Sequence, residues 1–224
     1  IPLLGGLLAV AQLPTDTVQV RPTKTRTRVP TRTAVPTDTP RPTPTAPLSD
    51  ISSVSLTLDD LPAGFVAMTE QEKMDVGLDD SFAEELASDF ENASIQSVAA
   101  YKKDDGSNYQ GIYFSLIYPM TQEDIDLVDT TIFPQDAFME MFGFEENENM
   151  SAIPGSDRIG DISAGAQFTY QDVDYGTLMG EYLMFRRNGA LVFMMSWYTG
   201  DSPSPLVVSA ANRVDAKLIQ LIGE

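Results

Sequence analysis

Few side-chain types in this chain could do chemistry. The 224 residues include no cysteine and no histidine, which excludes disulfides, thiolate and imidazole catalysis, and the common ligand sets for zinc and haem. The 33 carboxylates would support hydrolysis only as a pair at a defined separation with one member desolvated. Gly-x-Ser-x-Gly and Ser-x-x-Lys do not occur. We therefore predict no catalytic residues and no enzyme activity, with a carboxylate-dependent hydrolase as the least favoured alternative.

Two acidic turns were considered as calcium sites, because calcium binds six to eight oxygen ligands from flexible loops. One turn carries Asp104, Asp105 and Asn108, and the other carries Asp172 and Asp174. Neither matches the D-x-[DN]-x-[DN]-G loop, and Asp and Asn are ordinary turn residues. The prediction is therefore no metal ligands and no cofactor.

Soft sulfur side chains and two arginines cluster in one stretch near the C-terminus. Four methionines there could form a soft-metal site or an adaptable groove. Core packing is favoured instead, because the chain has no cysteine or histidine and because the methionines alternate along predicted strands. They are Met179, Met184, Met194 and Met195. Arg186 and Arg187 are expected to reach solvent or to pair with acidic loops.

These residues lie in Gly160–Tyr198, which is predicted to be a three-stranded antiparallel meander. Asn188-Gly189 favours a type I′ hairpin turn, which places Arg187 opposite Ala190. Two apolar faces result from this register. One has Leu183, Phe185, Val192 and Met194; the other has Tyr182, Met184, Leu191, Phe193, Met195 and Trp197. With both faces apolar, this hairpin is expected in the middle of a sheet with material packed over each face.

The segment before the meander is predicted to contain a strand, a helix and a hairpin, in that order. Val54–Leu58 alternates as a short strand, and Asp80–Asn92 repeats apolar residues as an amphipathic helix with a capping box at Ser81 and Glu84. Ile95–Lys103 and Asn108–Tyr118 form the hairpin, and the second of these strands is apolar on both faces.

Three further helices and one loop complete the predicted elements. Thr121 and Asp124 indicate a capping box before one helix, and Pro134 begins the next, with Phe138, Met141 and Phe142 on its buried side. Gly143–Gly165 is predicted to be a long acidic loop. Asp201 or Ser202 caps the last helix, with Pro203 in its first turn, and its apolar stripe is Val207, Ala211, Val214, Leu218 and Leu221.

The resulting order is β, α, ββ, αα, βββ, α. Antiparallel hairpins dominate, and helices on both faces would cover the two-sided strands. The prediction is an α+β fold, an α/β/α sandwich with one central, mainly antiparallel sheet of about six strands.

Three regions are predicted along the chain. Residues 1–11 form the apolar end of a signal peptide with an Ala9-Val10-Ala11 cleavage site, or else the end of a membrane segment, in a chain truncated upstream. Residues 12–49 hold eight prolines and eleven threonines and are expected to be a disordered stalk. Residues 50–224 form a single folded domain, which we expect outside the cytoplasm or in the cell envelope, with membrane contact only through an N-terminal anchor.

Charge separates the stalk from the domain. The stalk carries six basic and two acidic residues, whereas residues 50–224 carry 8 basic and 31 acidic residues, a net charge of −23. Such an acidic domain repels phosphate backbones, so nucleic acid is not an expected partner. The charge is also consistent with a solvated monomer.

Several stretches resemble the PsbP-like superfamily over Leu56–Glu224. They are SLTLDDLPAGF, RIGDISAGAQF, FRRNGALVFMM and ANRVDAKLIQLI. The resemblance implies an α/β/α module that docks on another protein, and it brings no catalytic residues with it. We therefore expect a non-catalytic, secreted or envelope-tethered domain that binds a protein or envelope partner. The alternative is a small-ligand or lipid-binding sensor domain with a cavity beside the helix of Phe138.

Overall fold

The computed structural model describes residues 51–78, 80–90, 92–106, 108–141, 150–172, 176–199 and 206–223. The predictions for residues 1–50, and for the cap at residues 201–203, lie outside the described residues. The described strands are β1 Val66–Ala67, β2 Ser94–Asp104, β3 Tyr109–Tyr118, β4 Ser151–Ala152, β5 Ile162–Asp172, β6 Gly176–Arg187 and β7 Ala190–Thr199. The helices are α1 Glu70–Asp75, α2 Asp80–Ala87, α3 Gln122–Thr131, α4 Gln135–Met141 and α5 Leu206–Ile222.

All described strands join one antiparallel sheet in the order β1-β2-β3-β7-β6-β5-β4. The predicted α+β fold is confirmed, with seven strands where about six were expected. The two outermost strands, β1 and β4, have two residues each. Two residues are too few to show an alternating pattern, which is why the sequence did not indicate them.

The predicted meander is confirmed as β5, β6 and β7. Asn188 and Gly189 have φ of 44° and 77°, as a type I′ turn requires, and Arg187 pairs with Ala190. β7 lies at the centre of the sheet with β3 on its other side, so the hairpin is buried within the sheet as predicted.

The two predicted apolar faces are covered by different helices. Leu183, Phe185, Val192 and Met194 pack with Val207, Val214 and Leu218 of α5; we call this side the α5 face. Met184, Leu191, Phe193 and Trp197 pack with residues of α2, α3 and α4; we call this side the α2 face. The domain is thus an α/β/α sandwich with an apolar core on each side of the sheet.

Two glycines let aromatic side chains lie across the sheet. A Cβ on Gly111 would lie 2.2 Å from the Trp197 ring, and one on Gly180 would lie 2.3 Å from the Phe168 ring. Trp197 is directly opposite Gly111 in the β3–β7 pair, so its ring fills the place where a side chain of β3 would otherwise stand.

The predicted strand Val54–Leu58 is wrong. Residues 51–53 and 58–60 form 3-10 turns, and the segment between them joins no sheet. Val54 and Leu56 are nevertheless buried at 1% and 0% exposure. Two backbone carbonyls of this segment accept hydrogen bonds from side chains: Tyr101 Oη donates to the Leu56 carbonyl at 2.8 Å, and Lys217 Nζ donates to the Ser55 carbonyl at 2.9 Å. Burial alternates as in a strand, but side chains take the place of a neighbouring strand.

Helix predictions are confirmed in position and corrected at their ends. α2 ends at Ala87, five residues before Asn92, and because it already includes Asp80, Ser81 lies inside the helix and is not its N-cap. Thr121 and Asp124 form the predicted capping box of α3. α4 begins directly after Pro134, and Phe138 is fully buried; the side chains of Met141 and Phe142 lie outside the described residues.

Two further corrections concern the C-terminal half. The predicted loop Gly143–Gly165 contains β4, a 3-10 turn at Ser156–Arg158 and the first residues of β5. In α5, the first four residues of the predicted stripe are buried, whereas Leu221 is 37% exposed. Leu221 lies in the last turn of the helix.

Candidate functional site

Arg186 and Arg187 end β6 and point to opposite faces of the sheet, as consecutive strand residues do. Arg186 donates to Asp129 of α3 through Nε at 3.0 Å and Nη2 at 2.8 Å. Arg187 donates to Asp215 of α5 through Nε and Nη2, both at 2.8 Å. Each arginine therefore makes a two-point contact with one carboxylate, the strongest geometry for this pair. The hydrogen bonds that Arg187 donates to Asp215 raise the pKa of the Arg187 guanidinium.

Asp161 joins the two arginines. Its carboxylate accepts from Arg186 Nη1 at 3.1 Å, from Arg187 Nη1 at 3.0 Å and from the Asn188 backbone N–H at 2.8 Å. We call these five charged residues, Asp129, Asp161, Arg186, Arg187 and Asp215, the hairpin clamp. The predicted pairing with an acidic loop is confirmed for Asp161, and the helix residues Asp129 and Asp215 add to it. The clamp ties a helix from each face to one hairpin, so its charges are used structurally.

Glu181 is a buried carboxylate that the sequence reasoning missed. It lies on β6 at 1% exposure. Ser196 Oγ donates to it at 2.6 Å, Tyr198 Oη at 3.4 Å and the Val207 backbone N–H at 3.4 Å. Burial raises the pKa of the Glu181 carboxyl. Its odd position in the apolar run of β6 was the only sequence signal. The carboxylate accepts from β7 and from the first turn of α5, so it holds the helix against the sheet, which fits a structural acceptor.

The acidic turn at Asp104 and Asp105, one of the two that could have bound calcium, serves its own backbone. Asp104 Oδ1 accepts from the Gly106 N–H, and Asp105 Oδ1 accepts from the Asn108 N–H, both at 2.8 Å. These are turn contacts of the ordinary Asx kind. Asp174 and the side chain of Asp172 lie outside the described residues. Within the described part of the chain, no three carboxylates come together in a way that could hold a metal ion.

The methionines of the meander are divided between the two faces. Met184 is 3% exposed on the α2 face and Met194 is fully buried on the α5 face. Met179 Sδ accepts a hydrogen bond from Thr169 Oγ1 at 3.0 Å, and Met195 packs at the margin of the α2 face. Met184 and Met194 are therefore core residues, and the sheet separates them rather than gathering them at one site.

One sheet edge is left without a neighbouring strand. β1 pairs with Tyr101 and Lys102 of β2, and the Met68 N–H donates to the Ala100 carbonyl at 2.9 Å. The chain then turns away because Thr69 and Glu72 form a capping box that begins α1. Residues 95–99 of β2 consequently have β3 on one side and no described strand on the other. We call residues 95–99 the open edge.

Two grooves flank the open edge. The first has a volume of about 300 Å³ and lies on the α2 face, between α2 and β2; it is lined by Ala83, Glu84, Ile95, Gln96, Ser97 and Val98. The second has a volume of about 240 Å³ and reaches the other side of the edge; it is lined by Ser55, Ala67, Met68, Lys73 and β2 residues 98–101. Both are open to solvent, so this edge combines accessible backbone with space for side chains.

Comparisons with known proteins give no match to a family model, to a curated protein or to a solved structure. The resemblance to the PsbP-like superfamily therefore stays a prediction. Among the helices of the described residues, none is both long and apolar enough to cross a bilayer.

Proposed function

We propose that this protein is a non-catalytic domain that binds a protein partner outside the cytoplasm or in the cell envelope. The observation that carries the proposal is the open edge of β2 with its two grooves, because exposed strand edges are established sites for adding a partner's chain. Glu181 is 1% exposed, and the two arginines of the hairpin clamp are largely buried.

The environment of the charged groups supports a binding role over catalysis. Catalytic groups usually have perturbed pKa values and also reach a cleft. Here the carboxyl with a raised pKa, Glu181, is buried behind α5, and the arginines with strong carboxylate partners tie helices to the sheet. These contacts give each group a structural task.

The proposed location depends on residues 1–49. The apolar run at residues 1–11 and the Thr/Pro-rich residues 12–49 are typical of an exported domain held at a distance from an anchor. The resemblance to PsbP-like proteins supports the same reading, since it implies a module that docks on other proteins.

The test is a binding experiment with the full 224-residue chain. The chain, carrying a photo-crosslinker at Ser97, is incubated with an envelope extract, and crosslinked peptides are identified by mass spectrometry. We expect a saturable crosslink to one protein that unlabelled chain displaces. The matched control carries the crosslinker at Asp157, which is exposed beside the opposite edge strand. If neither position crosslinks a partner and no binding is measurable, the proposed function is wrong.

A further inference from the structure

The outer edge of β2 shows what kind of chain it would accept. We propose that the open edge, residues 95–99, binds an extended segment of a partner protein in which basic and apolar side chains alternate, and that this segment joins the sheet as a strand in line with β1. The inference rests on the proposed function and specifies the partner's chemistry and its mode of binding.

The backbone of Val98 is the first part of the argument. The Ala100 carbonyl points away from β3, because it accepts from Met68 on the outer side. Backbone groups alternate direction along an antiparallel strand, so the N–H and C=O of Val98 also point outward. Among the described residues, no backbone hydrogen bond reaches them. They offer one donor and one acceptor where the next strand would lie.

The side chains of this part of β2 do not protect the edge. Natural sheets block exposed edges with charged residues or proline, but the eight residues Ser94–Tyr101, SIQSVAAY, contain neither. A bulge at Gln96 interrupts the β2–β3 register, and the Gln96 amide donates inward to the Tyr118 carbonyl at 3.0 Å. The bulge limits the added ladder to a few residues centred on Val98, which predicts a short and reversible contact.

The grooves explain the alternating pattern. Successive side chains of an added strand point to opposite faces, so alternate residues would enter the groove beside α2 and the groove beside Ser55 and Ala67. Glu84 lines the first groove and belongs to no ion pair among the described residues, which favours a basic side chain there. Ala99 and Tyr101, which pack on the α5 face, line the second groove together with Ala67 and Lys73. The Lys73 ammonium disfavours a second cation there, so an apolar side chain is favoured.

Net charge selects among possible occupants. Residues 50–224 carry a net charge of −23, so a second copy of the same domain, or an acidic segment, meets repulsion on approach. A basic segment is attracted instead, with an association rate that falls as salt screens the charges. Between a second copy of the domain and a segment of another protein, this charge favours a basic segment of another protein.

The first experiment uses defined peptides. A fluorescein-labelled, end-blocked octapeptide of alternating lysine and valine is titrated with the full chain and followed by fluorescence anisotropy. We expect it to bind at least tenfold more tightly than the matched peptide of alternating glutamate and valine. N-methylation of its alternate backbone amides, which removes donors and keeps side chains and charge, should weaken binding at least tenfold. Equal binding of the methylated peptide would overturn strand addition.

The second experiment uses variants of the full chain. Val98→Pro removes the outward N–H and is tolerable on an edge strand. The melting temperature of this variant is measured first, to show that it is folded before its binding is tested. Glu84→Lys should lower the affinity of the chain for the lysine–valine peptide at least fivefold. The same charge reversal at Asp157, Asp157→Lys, should change this affinity by less than twofold. If Glu84→Lys and Asp157→Lys weaken binding equally, only net charge attracts the peptide and the proposed site is wrong.

Two outcomes separate this inference from the proposed function. If the full chain crosslinks a partner but Val98→Pro and Glu84→Lys do not alter that binding, the partner uses another surface, and the inference fails while the function stands. If sedimentation shows a dimer that Val98→Pro converts to a monomer, the open edge pairs with a second copy, and a basic partner segment is excluded.

Discussion

At the β6–β7 turn, charged side chains from two helices and a loop close around one hairpin, whereas β2 carries no charged side chain from Ser94 to Tyr101. The hairpin clamp joins elements from both faces, and little of its arginines is exposed. The open edge has two grooves that are open to solvent, and its outward backbone groups have no described strand beside them. The difference indicates that the linked ion pairs at the β6–β7 turn hold helices of both faces to the sheet, whereas the uncharged edge of β2 is available for contact.

The largest expected difference between the two regions is in amide hydrogen exchange. Phe193 lies on β7 between β3 and β6, so its region should exchange only through extensive unfolding, whereas the outward amide of Val98 is accessible in the native state. We expect the Val98 amide to exchange at least about 1,000-fold faster than that of Phe193, since global unfolding costs at least about 5 kcal/mol. NMR-detected exchange of the full chain measures both. Similar protection at the two sites would show that the edge is covered.

Breaking the hairpin clamp should cost the most stability. Asp215→Ala removes the two-point partner of Arg187 and leaves that guanidinium, 13% exposed, with Asp161 alone. Loss of one member of a buried pair costs about 3–5 kcal/mol. Because Asp161 remains, we expect Asp215→Ala to lower the free energy of unfolding by about 3 kcal/mol. Urea unfolding measures this change.

Asp157→Ala is the control for this change. Asp157 is exposed and makes no ion pair among the described residues, so its loss should change the free energy of unfolding by less than about 0.5 kcal/mol. An equal loss in the two variants would contradict the structural role of the clamp.

Neutralising the buried carboxylate should stabilise the domain at neutral pH. Burial raises the pKa of Glu181 in the folded state, so the folded state holds the proton more tightly, and the contribution of Glu181 to stability falls as pH rises through the folded pKa. Glu181→Gln keeps an oxygen acceptor for Ser196 and the Val207 N–H without the charge. We expect its melting temperature to exceed that of the natural chain by a few degrees at pH 7 and by less at pH 4.

Ser196→Ala serves as the comparison for Glu181→Gln. The Ser196 hydroxyl donates to the Glu181 carboxylate, so Ser196→Ala should lower the melting temperature, most of all at neutral pH. A lower melting temperature for Glu181→Gln at pH 7 would show that the ionised form is required by the fold.

The smallest effect is expected at the ion pair beside β1. The hydrogen bond from Lys102 lowers the pKa of Glu72 to about 2, although the pair is partly exposed. A lowered pKa adds stability that is present above the ordinary value of 4.5 and lost as pH falls towards 2. NMR titration should show the Glu72 carboxyl titrating well below the ordinary glutamate value of 4.5. Glu72→Gln should leave the melting temperature at pH 7 nearly unchanged, because solvent screens such pairs.

Sequence patterns predicted the parts of the fold that depend on local chemistry. Asn188-Gly189 fixes its turn by backbone conformation, and the alternation of apolar residues beside it assigned each side chain to its face. The capping box at Thr121 likewise predicted the start of α3. Each of these signals lies within a few residues of the element that it predicts.

The parts that were missed depend on distant residues. Val54 and Leu56 alternate like a strand, yet whether their backbone joins a ladder depends on Tyr101 and Lys217. The carboxylates of the clamp on α3 and α5 meet their arginines only after both helices pack. The open edge exists because β1 stops at Ala67, and a two-residue strand leaves no periodic trace in the sequence.

The contact between Trp197 and Gly111 makes the domain its own optical probe. Trp197 is the only tryptophan of the chain, and its ring, 6% exposed, covers the backbone of β3 at the centre of the sheet. Its emission should shift to longer wavelength when β3 and β7 separate and water reaches the indole. Intrinsic fluorescence therefore reports the integrity of the central sheet without any label, while a peptide added two strands away at β2 leaves the indole in place.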